Sequence, residues 1–292
     1  MIPEGYVKVR ASFRPIGYIH IGSTDERMVV QREGNRLNAC KFIIKRDKLL
    51  EVVESLEGYL HDLNKLVEED LIEPKKECVP LELHRKIPYN SIITVKRVPR
   101  NPKPYIPGSS IKGALLSAVA LALVNERKIR KGSPQSVGNS VKDYFLNKFK
   151  RHINSFPYWL AVPDVPIEKT KIVDVELTKK AGGYAYVEVY DVREIEFEFF
   201  IYKPALEYLE KGLKSVKDRI LQPHKGIGYH YNKVLVELKF NNGPKEGHLF
   251  VLGAGAGSIA KAIFGRPRKA HPRRSLDGKR FGFGYLKLNP ES

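Results

Sequence analysis

With 292 residues, 42% of them apolar, the chain suffices for one large domain or two of about 150 residues and is too apolar to be disordered. Its 51 Lys and Arg against 33 Asp and Glu leave a formal net charge of +18, which favours a polyanionic partner. A membrane surface explains the charge less well, because no basic amphipathic helix stands out and the positive residues lie in loop-like stretches.

Residues 6–13 alternate in polarity and read as a strand. The segment Pro15-Ile16-Gly17-Tyr18-Ile19-His20-Ile21-Gly22-Ser23 reads as a strand end and a tight loop. His20, between two isoleucines, has two readings: a histidine hydrogen-bonded inside the loop, or a group that does chemistry. Residues 47–73 carry Leu49, Leu50, Val53, Leu56, Leu60, Leu63, Leu66 and Val67 at helical spacing, which predicts one or two amphipathic helices. Their polar face is acidic, with ten Asp and Glu against three Lys between Glu51 and Glu82. Such a face is solvated, turned away from nucleic acid, or a protein contact.

The charge then inverts. From His84 to Lys112 there are seven Lys and Arg and no acid, among them Arg97 and Arg100. Residues 91–98 read as a strand, and a Pro-rich connector leads to Tyr105-Ile106-Pro107-Gly108-Ser109-Ser110-Ile111-Lys112-Gly113. Pro107 and Gly108 break the preceding structure, and Ser109 or Ser110 is a good N-cap for an apolar helix reaching Val124. The helix start would gather free N–H groups, two hydroxyls and the Lys112 ammonium, which reads either as a capped core helix with a solvated lysine or as an anion site suited to a backbone phosphate. It is not a Walker A loop, since the lysine precedes its glycine and no Ser or Thr follows. The apolar run after Lys112 is too short to span a bilayer, and with no signal-like N-terminus the cytoplasm is the default. The cysteines, Cys40 and Cys78, form no disulfide framework and no Cys-x-x-Cys metal motif.

Residues 126–152 suggest a loop and a short helix from Val141 to Phe149, and Pro163-Asp164-Val165-Pro166 reads as a linker. Strands are predicted at 184–190 and 195–202, a helix from Pro204 to Leu221, and a strand from Val234 to Phe240. His224 and His230 lack a third ligand, so no metal site is expected. Near the C-terminus, Gly253, Gly255 and Gly257 precede a predicted helix at Ile259–Phe264. Arg266, Arg268, Lys269, Arg273, Arg274, Lys279 and Arg280 follow, and a strand closes at Leu288. Nine Lys and Arg face one acid between Gly253 and Leu288. The glycines let backbone N–H groups approach a bulky anion, and the guanidinium cluster with nearby aromatics suits single-stranded nucleic acid. No βαβ unit follows them, which excludes a dinucleotide-binding fingerprint.

Pro107-Gly108-Ser109-Ser110-Ile111-Lys112-Gly113 resembles the signature of the RAMP superfamily, the RNA-binding subunits of type III CRISPR effector complexes. Ile19-His20-Ile21-Gly22-Ser23 resembles the early His-Ile-Gly segment of that group, and Gly253–Gly257 with Gly282–Gly284 resembles its glycine-rich region. The order of features, including the acidic insert and Val162-Pro163-Asp164, is most similar to the fifth-subunit family of type III-A Csm complexes. At Gly253–Gly257 the chain is alanine-rich where that group more usually has aromatics or threonine.

The resemblance implies an α+β fold of two ferredoxin-like (RRM-like) domains, residues 1–160 with a helical insert at about 47–80, and residues 161–292 with the basic glycine-rich loop. It implies a non-catalytic subunit without cofactor or metal. That subunit holds the 3′ part of crRNA, caps the filament of the repeating Csm backbone subunit, supports crRNA maturation and presents the 3′ end to host nucleases. The RNA-binding set is His20, Arg97, Arg100, Gly108, Ser109, Ser110, Lys112 and the glycines and basic residues of the tail. Two alternatives stand. One is a RAMP endoribonuclease, with His20 as general base and Asp25, in a plain solvated turn, binding Mg²⁺. The other is the equivalent subunit of a type III-B (Cmr) complex.

Overall fold

The fold is laid on its first strand, β1 (Tyr6–Pro15), in which Val9, Ala11 and Phe13 are buried and Arg10 and Arg14 exposed, as the alternation predicts. The structure, a computed structural model, describes residues 4–22, 24–130, 132, 134–148, 159–177, 183–221, 247–253, 274–276 and 279–291. After β1 come β2 (Thr24–Glu33), β3 (Arg36–Ile44), the short helices α1 (Leu49–Glu54), α2 (Leu56–His61) and α3 (Lys65–Glu68), then β4 (Ile72–Glu82), β5 (Ile92–Arg97) and β6 (Tyr105–Ile106). Next are α4 (Gly108–Asn125), α5 (Pro134–Lys148), β7 (Leu160–Ala161), β8 (Val165–Pro166), β9 (Thr170–Leu177), β10 (Gly183–Tyr190), β11 (Ile195–Tyr202) and α6 (Lys203–Leu221). The last described strands are β12 (His248–Val251), β13 (Arg274–Leu276), β14 (Lys279–Arg280) and β15 (Phe283–Pro290).

One sheet runs β12-β15-β1-β11-β7, antiparallel throughout. Leaving aside the edge strand β12 and the extra helix α5, its connectivity β1-α4-β7-β11-α6-β15 is the βαββαβ ferredoxin-like pattern, two interlocked split βαβ units. The inward residues of β1, β11 and β15 share one core with α4, α5 and α6. Helix α4 is apolar around most of its circumference after its first turn and buries nine of its residues there. Counted from Gly108, α4 is long and apolar enough to cross a membrane by length and composition; its burial against the sheet and α6 accounts for its apolar character. α4 and α6 approach closely at Gly212, where a Cβ would lie 1.8 Å from the Ala118 carbonyl oxygen.

The second layer is a closed ring. Strands β10, β5, β2, β3, β4 and β9 pair in that order, and β9 also pairs with β10. One apolar cluster draws on all six, with Met28, Val30, Ala39, Val79, Ile93, Val95 and Ile172 buried and Tyr186 packed against them. Outside it, Val29 and Cys40 pack with Val52, Tyr59 and Leu66 of the short helices. Cys40 and Cys78 face each other across β3 and β4 and form a disulfide, a single bridge where no disulfide framework was expected.

Several expectations change. The insert is helical only to Glu68, because β4 begins at Ile72. The β2–β3 hairpin and β9 carry no strong alternation in the sequence and were not anticipated; partners on both sides hold them. α5 begins at Pro134 rather than near Val141. Residues 163–166 are no linker: β8 pairs with β6. Both layers take strands from both sides of residue 160, since β1 pairs with β11 and β15 while β9 and β10 pair with β4 and β5. Only one of them has the ferredoxin-like connectivity among the described residues. The ring is made of insertions into that single frame. The strand predicted at 234–240, the helix at 259–264 and the pair His224 and His230 lie outside the described residues.

Gly212→Ala tests the helix contact. A methyl group gains about 1 kcal/mol of helix propensity, but overpacking against backbone costs about 1–3 kcal/mol. Chemical denaturation should therefore show net destabilisation; a stabilised variant would contradict the close approach.

Candidate nucleic-acid interface

Motifs far apart in sequence meet at the junction between the sheet and the ring, and the end of β10 joins them. Tyr190 donates its backbone N–H to the Ile19 carbonyl at 3.0 Å and its hydroxyl to the Tyr105 carbonyl at 2.7 Å. One residue thus ties the His-Ile-Gly segment to the start of the Pro-Gly-Ser-Ser-Ile-Lys-Gly segment. Burial, reinforced by the nearby Glu188 charge, pushes the Tyr190 pKa up, so its hydroxyl keeps the proton it donates. The glycine-rich segments arrive from the other side. Leu252 N–H bonds to the Gly282 carbonyl and Gly282 N–H to the Tyr18 carbonyl, both at 2.8 Å. Gly253 lies so close to His20 that a Cβ would be 2.5 Å from the His20 carbonyl oxygen.

Two residues before Tyr190, Glu188 is fully buried. Its carboxylate receives Arg97 Nε at 2.7 Å, the Thr170 hydroxyl at 2.6 Å, the Val98 N–H at 3.1 Å and the Arg100 guanidinium. Arg97 also pairs with Glu26. Arg97, 2% exposed, is therefore corrected from a phosphate ligand to part of the interior, and Arg100 turns its guanidinium to Glu188. A basic run without acids looked like a solvated binding surface because its acidic partner comes 91 positions later in the chain.

His20 is 3% exposed, and its Nδ1 meets the Glu188 carbonyl oxygen at 2.7 Å. A carbonyl only accepts, so Nδ1 carries the proton and donates it. The ring lies against Gly22, where a Cβ would be 2.0 Å from Nε2, which gives the glycine of this segment a steric reason. Asp25 sits in β2 rather than in a turn, and Lys96 pairs with it across the strands at 2.6 Å. Among the described residues no group of three or more His, Cys, Asp or Glu could hold a metal ion.

The start of α4 differs from the expected anion site. Helix α4 begins at Gly108 with Pro107 as N-cap and no side-chain cap from Ser109 or Ser110. Asp164 supplies the anion instead, accepting the Gly108 N–H at 2.7 Å. The backbone of the Asp164 loop also fills the space beside Gly108, where a Cβ would lie 2.1 Å from the Val162 carbonyl oxygen. Val162-Pro163-Asp164 is therefore the partner of Pro107-Gly108. Ser109 is exposed, and Lys112 is half-buried one turn further on, with its pKa lowered by burial. The backbones of Arg274, Lys279 and Arg280 lie in β13 and β14, which pair with each other as β13 pairs with β9. Gly255, Gly257, Arg266, Arg268, Lys269 and Arg273 lie outside the described residues.

Glu188 and Tyr190 carry no motif, and Val162-Pro163-Asp164 gives no sign in the sequence of the bond from Asp164 to Gly108. In the sequence Glu188 is one polar position in an apolar strand, and that isolation was its only signal. The opposite, open face of the ferredoxin-like sheet has a different character. Lys8 and Arg10 pair with Glu198, Arg10 with Glu291 at 2.6 Å, and Arg14 with Glu194. These exposed pairs add little stability, but they balance the charge of that face.

Replacing Glu188 with Ala removes the carboxylate that Arg97 and Arg100 share and leaves Arg97 with Glu26; breaking a buried pair of this kind costs about 3–5 kcal/mol. Urea or thermal unfolding should show a loss of that size. A loss under about 1 kcal/mol, the level of an exposed pair, would contradict the network.

Comparison with known proteins agrees with this architecture. A solved structure described as the cryo-EM structure of a Csm-crRNA-target RNA ternary complex in a type III-A CRISPR-Cas system contains a similar chain. It is 17% identical, with a TM-score of 0.58, over 96% of this chain and 100% of that one. The crystal structure of T. onnurineus Csm5 is similar at 16% identity and a TM-score of 0.55, over 94% of this chain and 99% of that one. No curated protein matches the chain. The family model described as the RAMP superfamily matches residues 13–282, nearly the whole chain. The chain belongs to the RAMP superfamily.

Proposed function

We propose that the protein is a non-catalytic crRNA-binding subunit of a type III-A CRISPR effector complex. It caps the backbone filament at the crRNA 3′ end and supports crRNA maturation, presenting that end to host nucleases. One observation carries this reading. The Ile19–Gly22, Tyr105–Gly108, Gly253 and Gly282 segments converge at one junction of a strongly basic chain. The similarity to a chain of a Csm-crRNA-target RNA complex supports the same partners, crRNA and Csm subunits. RNA lies along the junction, gripped by phosphate contacts from Lys112 and the basic tail. Arg97 and Arg100 shape the junction from beneath. The burial of His20 and its bond to the Glu188 carbonyl support a positioning role rather than general-base chemistry.

Binding through phosphates releases counterions, so affinity falls steeply with salt. Changing Lys112, Arg273 and Arg274 together to Gln should weaken crRNA retention severalfold and flatten the salt dependence, read by filter binding across a salt series. Retention equal to wild type would contradict the proposal. Incubation with repeat RNA and with guide-paired target RNA, with and without Mg²⁺, should leave both intact; cleavage lost in His20→Ala or Asp25→Ala would replace this reading with a nuclease.

A further inference from the structure

Helix α1 exposes an apolar ridge. Leu49 is 49% exposed, Leu50 76% and Val53 59%, whereas Val52 is 2% exposed. Leu49 and Val53 are four apart and Leu50 and Val53 three apart, so the three share one side of the helix. Only two other large apolar side chains among the described residues are exposed, Ile43 and Tyr89. Single exposed leucines are ordinary, but three neighbours on one short helix mark an interaction surface.

The ridge is firmly mounted. Val52, Tyr59 and Leu66 anchor the short helices in the core outside the ring, and the Tyr59 hydroxyl bonds to Glu69 at 2.5 Å. Its surroundings are acidic on balance: Asp47, Glu51, Glu54 and Glu57 are exposed on the same short stretch, with Arg46 exposed beside them and Lys48 paired with Glu51 at 3.1 Å. This is the acid-rich part of a chain with a net charge of +18. Acidic flanks repel RNA and anionic lipid, and they attract Lys and Arg.

We infer that the α1 ridge docks a basic protein partner, one with an apolar pocket edged by Lys or Arg. Another RNA-binding subunit of the same assembly has this chemistry, because phosphate binding makes such proteins basic. The inference rests on the proposed place of the chain in a multisubunit complex.

The test separates the two proposals. The variant L50E/V53E changes only exposed side chains, so it should keep the wild-type melting temperature; L50Q/V53Q serves as a milder control. Wild type and variants are mixed, free of RNA, with the other purified subunits of the complex, and association is measured by interferometry. RNA affinity of the chain alone is measured in parallel. The inference expects at least tenfold weaker subunit association for L50E/V53E, a smaller loss for the control, and RNA affinity within twofold of wild type. Unchanged association would overturn it. So would a loss confined to self-association in sedimentation, or wild-type binding to uncharged lipid vesicles that the variant lacks. Failure of the wild-type chain to bind RNA would instead contradict the proposed function and leave the association result readable.

Discussion

Glu188 is the buried charge on which the junction depends. Burying a carboxylate costs several kcal/mol unless opposite charges and hydrogen bonds compensate it. Arg97, Arg100, Thr170 and the Val98 N–H supply that compensation. The cluster joins β5, the connector after it, β9 and β10. The backbone of Glu188 holds His20, and Tyr190, two residues on, holds Ile19 and Tyr105. The loops of the junction thus hang on one strand end whose position is set by paired charges.

The chain builds this junction by inserting one layer into another. The ferredoxin-like frame runs β1-α4-β7-β11-α6-β15, and the ring enters between β1 and α4 and between β7 and β11. Each insertion leaves and re-enters near the same sheet end, where Phe13 pairs with Ile195 and Pro15 with Gly284. Motifs separated by more than half the chain therefore become neighbours. Asp164 seals a further part of the arrangement. It caps α4 and fixes the loop that leads from β7 into the ring. The open sheet face, in contrast, carries basic and acidic residues in matched pairs, which leaves less unbalanced charge to draw phosphate.

Several elements were legible in the sequence: β1 and β11 from alternation, β5 from its β-branched run, α4 from a long apolar run and α6 from its helical spacing after Pro204. The α+β class was legible too, and the His-Ile-Gly and Pro-Gly-Ser-Ser segments singled out in the sequence are the ones that meet at the junction. Long-range pairing was not. Arg97 looked like a surface cation because nothing local reveals a carboxylate on β10, and the first-turn serines looked like caps because nothing local reveals Asp164. The interleaving of layers was hidden for the same reason: a linker-like Pro-Asp-Val-Pro stretch also makes a short strand when a partner such as β6 is present. Pairing between distant segments is a property of the whole chain, and periodicity reports only the local part.

The proposed function requires RNA to follow the junction rather than the open sheet face. Ultraviolet crosslinking of the chain to guide RNA in the assembled complex, with peptides identified by mass spectrometry, tests it most directly. The account predicts crosslinks within residues 16–22, 105–113 and 253–284. Crosslinks concentrated instead on Lys8, Arg10, Arg14 and Lys287, the open face, would contradict it.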